Sequence, residues 1–236
     1  MKIEFTKKPK NVTIIEGFPG IGLIGTIVTE FLIDHLDAEK IGTIWFDDLA
    51  PILAIHDGKV LDPLAVYYSK KYNLVIFHAL TQVAGMEWKI ADALNKVAKE
   101  LSAKEIISVE GVGAVGKEGG EGGVFIYSDK NLKSWEKAGA SEMSEGIVMG
   151  VTAALLSKVK GVKLSCLFAE THSALPDSRA SAKVIEMLDA YLNLKVDYKP
   201  LLKKAEEFEG KLKGLMSQTK KSSALREKKR TMDYLG

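Results

Sequence analysis

The chain has 236 residues, 46% apolar and 27% charged, enough to bury the core of one large α/β domain or two small ones. Its single cysteine, Cys166, excludes an internal disulfide framework, and no apolar run reaches the eighteen or so residues of a membrane span. The net charge of +2 is uneven: from Lys199 onward 11 Lys and Arg face 5 Asp and Glu, so a basic end of +6 follows an acidic body of −4.

The opening "MKIEFTKKPK" lacks the apolar heart of a signal peptide, so a reducing, cytoplasmic location is expected, with no membrane contact. Cys166 stands in the apolar run "VKLSCLF" and reads as a buried, inert thiol. Three arginines occur, Arg179, Arg226 and Arg230, and only the first precedes the basic end. A body with one arginine has few means of gripping phosphate through two parallel hydrogen bonds.

Residues 12–17 read as a strand buried on both faces, and 21–36 as a helix with Ile21, Ile24, Val28, Phe31, Leu32 and Leu36 on one stripe. Between them, "EGFPGIGLIG" places Gly20, Gly22 and Gly25 in the spacing G-x-G-x-x-G, and Asp47 follows twenty-two residues after Gly25, beyond a second strand at 41–46. That is the outline of a dinucleotide fingerprint with its ribose-binding acid. A dinucleotide fold would next need a helix. The chain instead gives "PILAIHDGKVL", with a hairpin signal at Asp57-Gly58, and then two β-rich runs, 64–69 and 73–79, joined by a polar turn. With Pro19 inside the turn, this context favours another reading. Gly17, Pro19, Gly20, Gly22 and Gly25 form a tight turn that packs the helix close to the sheet or to a neighbouring subunit, with no bound cofactor.

Further along, 86–101 has helical periodicity and 105–111 is a strand. "GVGAVGKE" then completes most of a phosphate loop through Gly111, Gly116 and Lys117, but Glu118 stands where Ser or Thr should hold magnesium, and "GGEGG" follows instead of a helix. It is not read as a phosphate loop. A strand is expected at 124–128, helical patterns at 130–137 and about 144–158, a strand at 162–170, and a helix capped by Asp177 or Ser178. The fold class is α/β: three layers, a mixed and mostly parallel sheet with helices on both faces.

Glu16, Asp47, Glu110 and Glu170 each end a predicted strand. If those strands are parallel, the four acids share the edge where α/β folds bind ligands, with His172, Ser173 and Asp177 nearby. They read either as a hydrolytic or metal site or as caps of helix N-termini. No H-x-x-x-H or E-x-x-H spacing supports a metal. His56 and His78 sit in strand patterns. Trp45, Phe46, Tyr67 and Tyr68 fit either an interface or one face of an ordinary sheet.

Three domain segments emerge: a core over 1–198, a helix over 199–216 with a seam of Leu201, Ala205, Phe208, Leu212 and Leu215, and a flexible basic tail over 217–236. The tail lacks interleaved aromatics and the body is acidic, so no nucleic-acid partner is expected.

Three segments together, "EGFPGIGLIGTIVTEFLIDHL", "EGVGAVGKEGGEGGVFIYSD" and "HSALPDSRASAKVIEML", resemble the archaeal members of the proteasome assembly chaperone family, over most of residues 10–195. The resemblance implies a nucleoside-phosphorylase-like core, although some members once carried an ATP-grasp label. It also implies no cofactor, no metal and no catalytic residue. The implied state is a homo-oligomer, with or without a paralogue, and the implied partner is the proteasome core particle. Some members end in hydrophobic–tyrosine–any residue, a tail that docks between subunits of the α-ring. This chain ends Met232-Asp233-Tyr234-Leu235-Gly236, with the tyrosine third from the end and an acid before it. The motif is off register by one, and Met232, Tyr234, Leu235 and Gly236 are the expected partner-binding residues, Tyr234 the anchor. The alternative is a phosphorylase- or hydrolase-type enzyme acting on a nucleoside-like molecule through Glu16, Glu110, Glu170 and His172.

Overall fold

Long apolar runs become central strands here, and alternation sends their side chains to two separate cores. The computed structural model describes residues 1–49, 54–56, 58–113, 122–171, 175–200 and 202–203. In chain order these give β1 (Lys2–Phe5), β2 (Thr13–Gly17), a single 3-10 turn (Ile21–Leu23), α1 (Ile24–His35) and β3 (Glu39–Trp45). Next come β4 (Ala54–His56), β5 (Lys59–Leu61), β6 (Leu64–Ser69), β7 (Leu74–Ala79), α2 (Glu87–Glu100) and β8 (Glu105–Gly113). The remainder is β9 (Val124–Ser128), α3 (Leu132–Lys137), β10 (Ser141–Glu142), α4 (Gly150–Lys158), β11 (Lys163–Thr171) and α5 (Ser178–Leu192).

Nine strands form one mixed sheet in the order β1-β3-β6-β7-β2-β8-β11-β9-β10, and β4 and β5 pair as a separate hairpin. Parallel pairing holds the centre, β7 to β2 to β8 to β11, and antiparallel pairs flank it at β1/β3, β3/β6, β6/β7 and β11/β9. Two successive antiparallel steps return β3 to the direction of β7. The C-terminal ends of β2, β3, β7, β8 and β11 therefore share one edge.

Ile14 and Ile106 face a core covered by α2 and α4, which also takes Phe168. Their neighbours Ile15 and Ile107 face the opposite core with Val28 and Leu32 of α1 and Val184 and Leu188 of α5. The α/β sandwich with helices on both faces is the architecture that the sequence implied. Asp177 is the N-cap of α5, its carboxylate accepting from Ala180 N at 3.0 Å.

Several boundaries differ. β1 and β10 were not expected; both are short edge strands with half-exposed or exposed residues, which leave little hydrophobic signature. The helix expected from about 144 begins only at Gly150, whose φ of +72° is outside helical space, so the stretch before it is irregular. The Asp57-Gly58 hairpin is present as β4 and β5, although Asp57 itself lies outside the described residues. Of the C-terminal helix expected over 199–216, residues 199–200 and 202–203 are helical, Leu202 N donating to Tyr198 O at 3.3 Å. The rest of that segment and the tail over 217–236 lie outside the described residues.

Candidate functional site at the sheet edge

The turn after β2 is built by backbone meeting backbone. A Cβ placed on Gly17 would stand 2.2 Å from the carbonyl oxygen of Gly25. One on Gly25 would stand 2.8 Å from both the Gly17 Cα and the Val109 oxygen, so α1 starts in contact with β2 and β8. Gly111 continues this contact, since its Cβ would meet the Ile21 oxygen at 2.0 Å. Gly22 has a φ of +67° and faces Thr171. Gly20 faces a carboxylate: its Cβ would lie 2.1 Å from Glu110 Oε1. Pro19 lines the cavity described below.

The dinucleotide outline fails on topology. The ribose-binding acid belongs on the strand beside the first one. Asp47, which is exposed, instead follows β3, three strand spacings or about 14 Å from β2 in the sheet order.

Glu16, Glu110 and Glu170 do come together. They sit on the adjacent strands β2, β8 and β11, all alternating toward the face covered by α2 and α4. Glu16 is only 1% exposed, and its Oε1 has no hydrogen-bond partner among the described residues. Burial pushes its carboxyl up to about 8, the Ser108 hydroxyl opposing the shift and the charge of Glu110 adding to it. Burial likewise pushes Glu110 up to about 7, against the Thr152 hydroxyl and the Gly111 backbone. Thr152 Oγ1 on α4 donates to Glu110 Oε2 at 3.3 Å and lies 2.8 Å from Ser108 Oγ, joining the two acids through hydroxyls. Glu170 Oε2 accepts from Gly123 N at 2.8 Å.

The expectation that these acids cap helices needs correction. Of the acids considered at this edge, Asp177 caps a helix, whereas α1 has Leu23 at its N-cap position and α4 has Met149, neither with a side-chain cap. Glu16 and Glu110 are instead buried carboxyls bridged by hydroxyls.

Above Glu110 and Glu170 opens a cavity of about 540 Å³, floored by Phe18, Val83, Phe125 and Phe168 and walled by residues 142–151. Sequence reasoning missed that wall because it assigned 144–149 to a helix. Gly146 and Gly150, bracketing the consecutive apolar residues Ile147, Val148 and Met149, were the signal against helical periodicity.

The remaining candidates lie elsewhere. His78 is a core residue, its Nδ1 2.9 Å from Thr29 Oγ1, and burial lowers its pKa to about 4. Cys166 is buried, and burial pushes its thiol up, as expected of an inert residue. Phe46 is buried and Trp45 half exposed; Tyr67 meets His78 edge-on, and Tyr68 donates to Asn73 Oδ1 at 2.9 Å. His172, Ser173, Lys117, Glu118, Met232, Tyr234, Leu235 and Gly236 lie outside the described residues. Among the described residues no group of His, Cys, Asp or Glu is arranged to hold a metal, and no helix is long and apolar enough to cross a membrane.

The family model for the PAC2 family matches residues 14–216. The chain belongs to the PAC2 family. A curated relative, an uncharacterized protein of Methanocaldococcus jannaschii, is 30% identical over 220 residues, covering 92% of this chain and 89% of its own. Among solved structures, this PAC2 chain is similar to Pyrococcus furiosus PbaA, described as an archaeal homolog of proteasome-assembly chaperone. That likeness has a TM-score of 0.80 and 29% identity, over 94% of this chain and 99% of PbaA. Pyrococcus furiosus PbaB, described as an archaeal proteasome activator, shares the fold at a TM-score of 0.78 and 23% identity, over 91% of this chain and 98% of its own.

Proposed function

We propose that this chain is a non-enzymatic, homo-oligomeric chaperone or adaptor that binds the α-ring of the proteasome core particle and assists its assembly or activation, partly through its C-terminal tail. The observation that carries this reading is PAC2 membership over residues 14–216, together with the likeness to PbaA along nearly the whole chain. The glycine turn supports it. Where a dinucleotide fold would seat a pyrophosphate, Gly20 faces the Glu110 carboxylate, and Gly17 and Gly25 spend their missing side chains on contact between β2 and α1. These glycines are a packing device.

In this reading an oligomer presents several tails at once, and weak docking events combine through high effective concentration. Lys220, Lys221, Lys228 and Lys229 steer each tail toward an acidic ring surface, raising the association rate, and Tyr234 anchors it. The test is a pull-down with purified core particle, using the full chain and a chain lacking residues 217–236, with light scattering on both. The expected result is an unchanged oligomer and markedly reduced capture after truncation. Equal capture by the truncated chain refutes the tail mechanism, and capture by neither refutes the proteasome reading.

The enzyme alternative draws on the cavity and the raised carboxyls of Glu16 and Glu110. A phosphorylase must hold phosphate, yet the charged lining among the described residues is wholly acidic. Calorimetric titration with nucleosides, nucleotides and phosphate tests it; micromolar binding that disappears in Glu110→Ala would favour the enzyme.

A further inference from the structure

The cavity at the sheet edge has a definite chemistry. The charged residues among its described lining are Glu87, Glu110, Glu142, Glu145 and Glu170, and that lining includes no Lys, Arg or His. Its floor is aromatic and aliphatic, and its mouth carries Ile147 and Met149, which are 90% and 69% exposed. A volume of about 540 Å³ is within the range of small-molecule sites, which pair an apolar body with a few placed polar groups.

We propose that this cavity binds a small organic cation, with its apolar body on the floor formed by Phe18, Val83, Phe125 and Phe168 and its ammonium group against Glu110 and Glu170. The charge of the described lining opposes the other class: an anion entering here would meet Glu87, Glu142, Glu145 and Glu170 beside the buried Glu110, with no described basic side chain to offset them. A neutral apolar molecule would fill the floor but leave the carboxylates uncompensated. The glycines also fit a site that keeps Glu110 in place. Gly20 leaves room for Glu110 Oε1, which a Cβ there would meet at 2.1 Å, and Thr152 on α4 holds Oε2 from the other side. Burial holds Glu110 near 7, so it stands close to ionisation at neutral pH, and an adjacent ammonium would complete the step. This inference is independent of the proteasome reading and concerns the isolated chain.

The experiment is titration of the full chain with n-hexylammonium, n-hexanol and hexanoate, followed by calorimetry and by NMR of methyl-labelled methionine. Met143 and Met149 line the cavity, and Met187, packed with the opposite core, serves as the internal control. Hexylammonium is expected to bind saturably and to shift the Met143 and Met149 methyls while leaving Met187 unmoved. Hexanol should bind at least tenfold more weakly, and hexanoate should not compete. Glu170→Gln and Glu110→Gln should each weaken hexylammonium binding at least fivefold. Because Glu110 is buried and its variant could fail to fold, the unmutated chain's methyl shifts and its amine-to-alcohol ratio decide the matter alone. Equal binding of amine and alcohol, competition by hexanoate, or shifts spread to Met187 would overturn the proposal, as would the absence of saturable binding at millimolar amine.

Discussion

Replacing Gly17 with alanine tests the packing account of the turn on the isolated domain. The new Cβ would sit 2.2 Å from the Gly25 carbonyl oxygen and 2.5 Å from its carbon, whereas comfortable non-bonded contact needs about 3.5 Å. More than about 1 Å of separation between β2 and α1 is required, and neither side of the contact is a flexible side chain. Moving α1 also disturbs Ile24, Val28 and Leu32, all fully buried. Overpacking of this kind costs about 1–3 kcal/mol, and a backbone-against-backbone clash belongs at the upper end. For a chain of this size, about 3 kcal/mol corresponds to a melting temperature lower by roughly 6–12 °C. Scanning calorimetry of Gly17→Ala beside Gly113→Ala measures it, because a Cβ on Gly113 meets nothing within 4 Å among the described residues and should be tolerated. A Gly17→Ala chain melting within about 1 °C of the parent would refute the argument. So would a rise in melting temperature of either chain on adding ADP or NAD.

The buried carboxyls give a pH dependence of definite sign. Glu16 is raised from 4.5 to about 8 and Glu110 to about 7, so the folded state holds protons that the unfolded state releases, and stability falls as pH rises through that window. His78, lowered from 6.5 to about 4, acts in the opposite direction below 6.5, so the decline should emerge between pH 6.5 and 8, by about 2–3 kcal/mol. Urea denaturation across that range measures the slope, and Glu16→Gln should remove most of it; an unchanged slope in the variant would contradict the assignment. At the opposite sheet edge, Tyr191 donates to Glu105 Oε2 at 2.8 Å and accepts from Asn131 Nδ2 at 2.8 Å, so Tyr191→Phe should cost about 1–2 kcal/mol in the same assay. Thr29→Val strips buried His78 of its 2.9 Å partner and should cost a similar amount, about 1–2 kcal/mol, with no change in oligomer size.

What could be read from the sequence follows the strength of its periodic signals. The central strands, such as "TIIEG" and "LVIFHA", are long apolar runs and α2 has a clear polar face, so their places were legible. β1 was not, because "KIEF" pairs along one edge only, with β3, and none of its four residues is fully buried. The sharing of an edge by Glu16, Glu110 and Glu170 was legible as soon as their strands were taken as parallel. The hydroxyl bridge from Ser108 to Thr152 was not, since it joins residues 44 apart through the docking of α4. The cavity wall over 142–151 escaped for a related reason: irregular backbone has no period to detect, and its shape depends on packing between distant elements. The glycine spacing alone is ambiguous, because one local pattern serves both pyrophosphate binding and close backbone approach; Pro19 and the hairpin signals after residue 50 favoured packing, and the strand order adds to that reading.

Whether the chain engages the proteasome core particle, as proposed above, is decided by co-sedimentation. The full chain, unlabelled core particle and their mixture are run in the analytical ultracentrifuge with a fluorophore on the chain alone. Labelled chain is expected to migrate with the core particle and to be released by excess unlabelled chain. Labelled chain that sediments by itself at tens of micromolar core particle would contradict it.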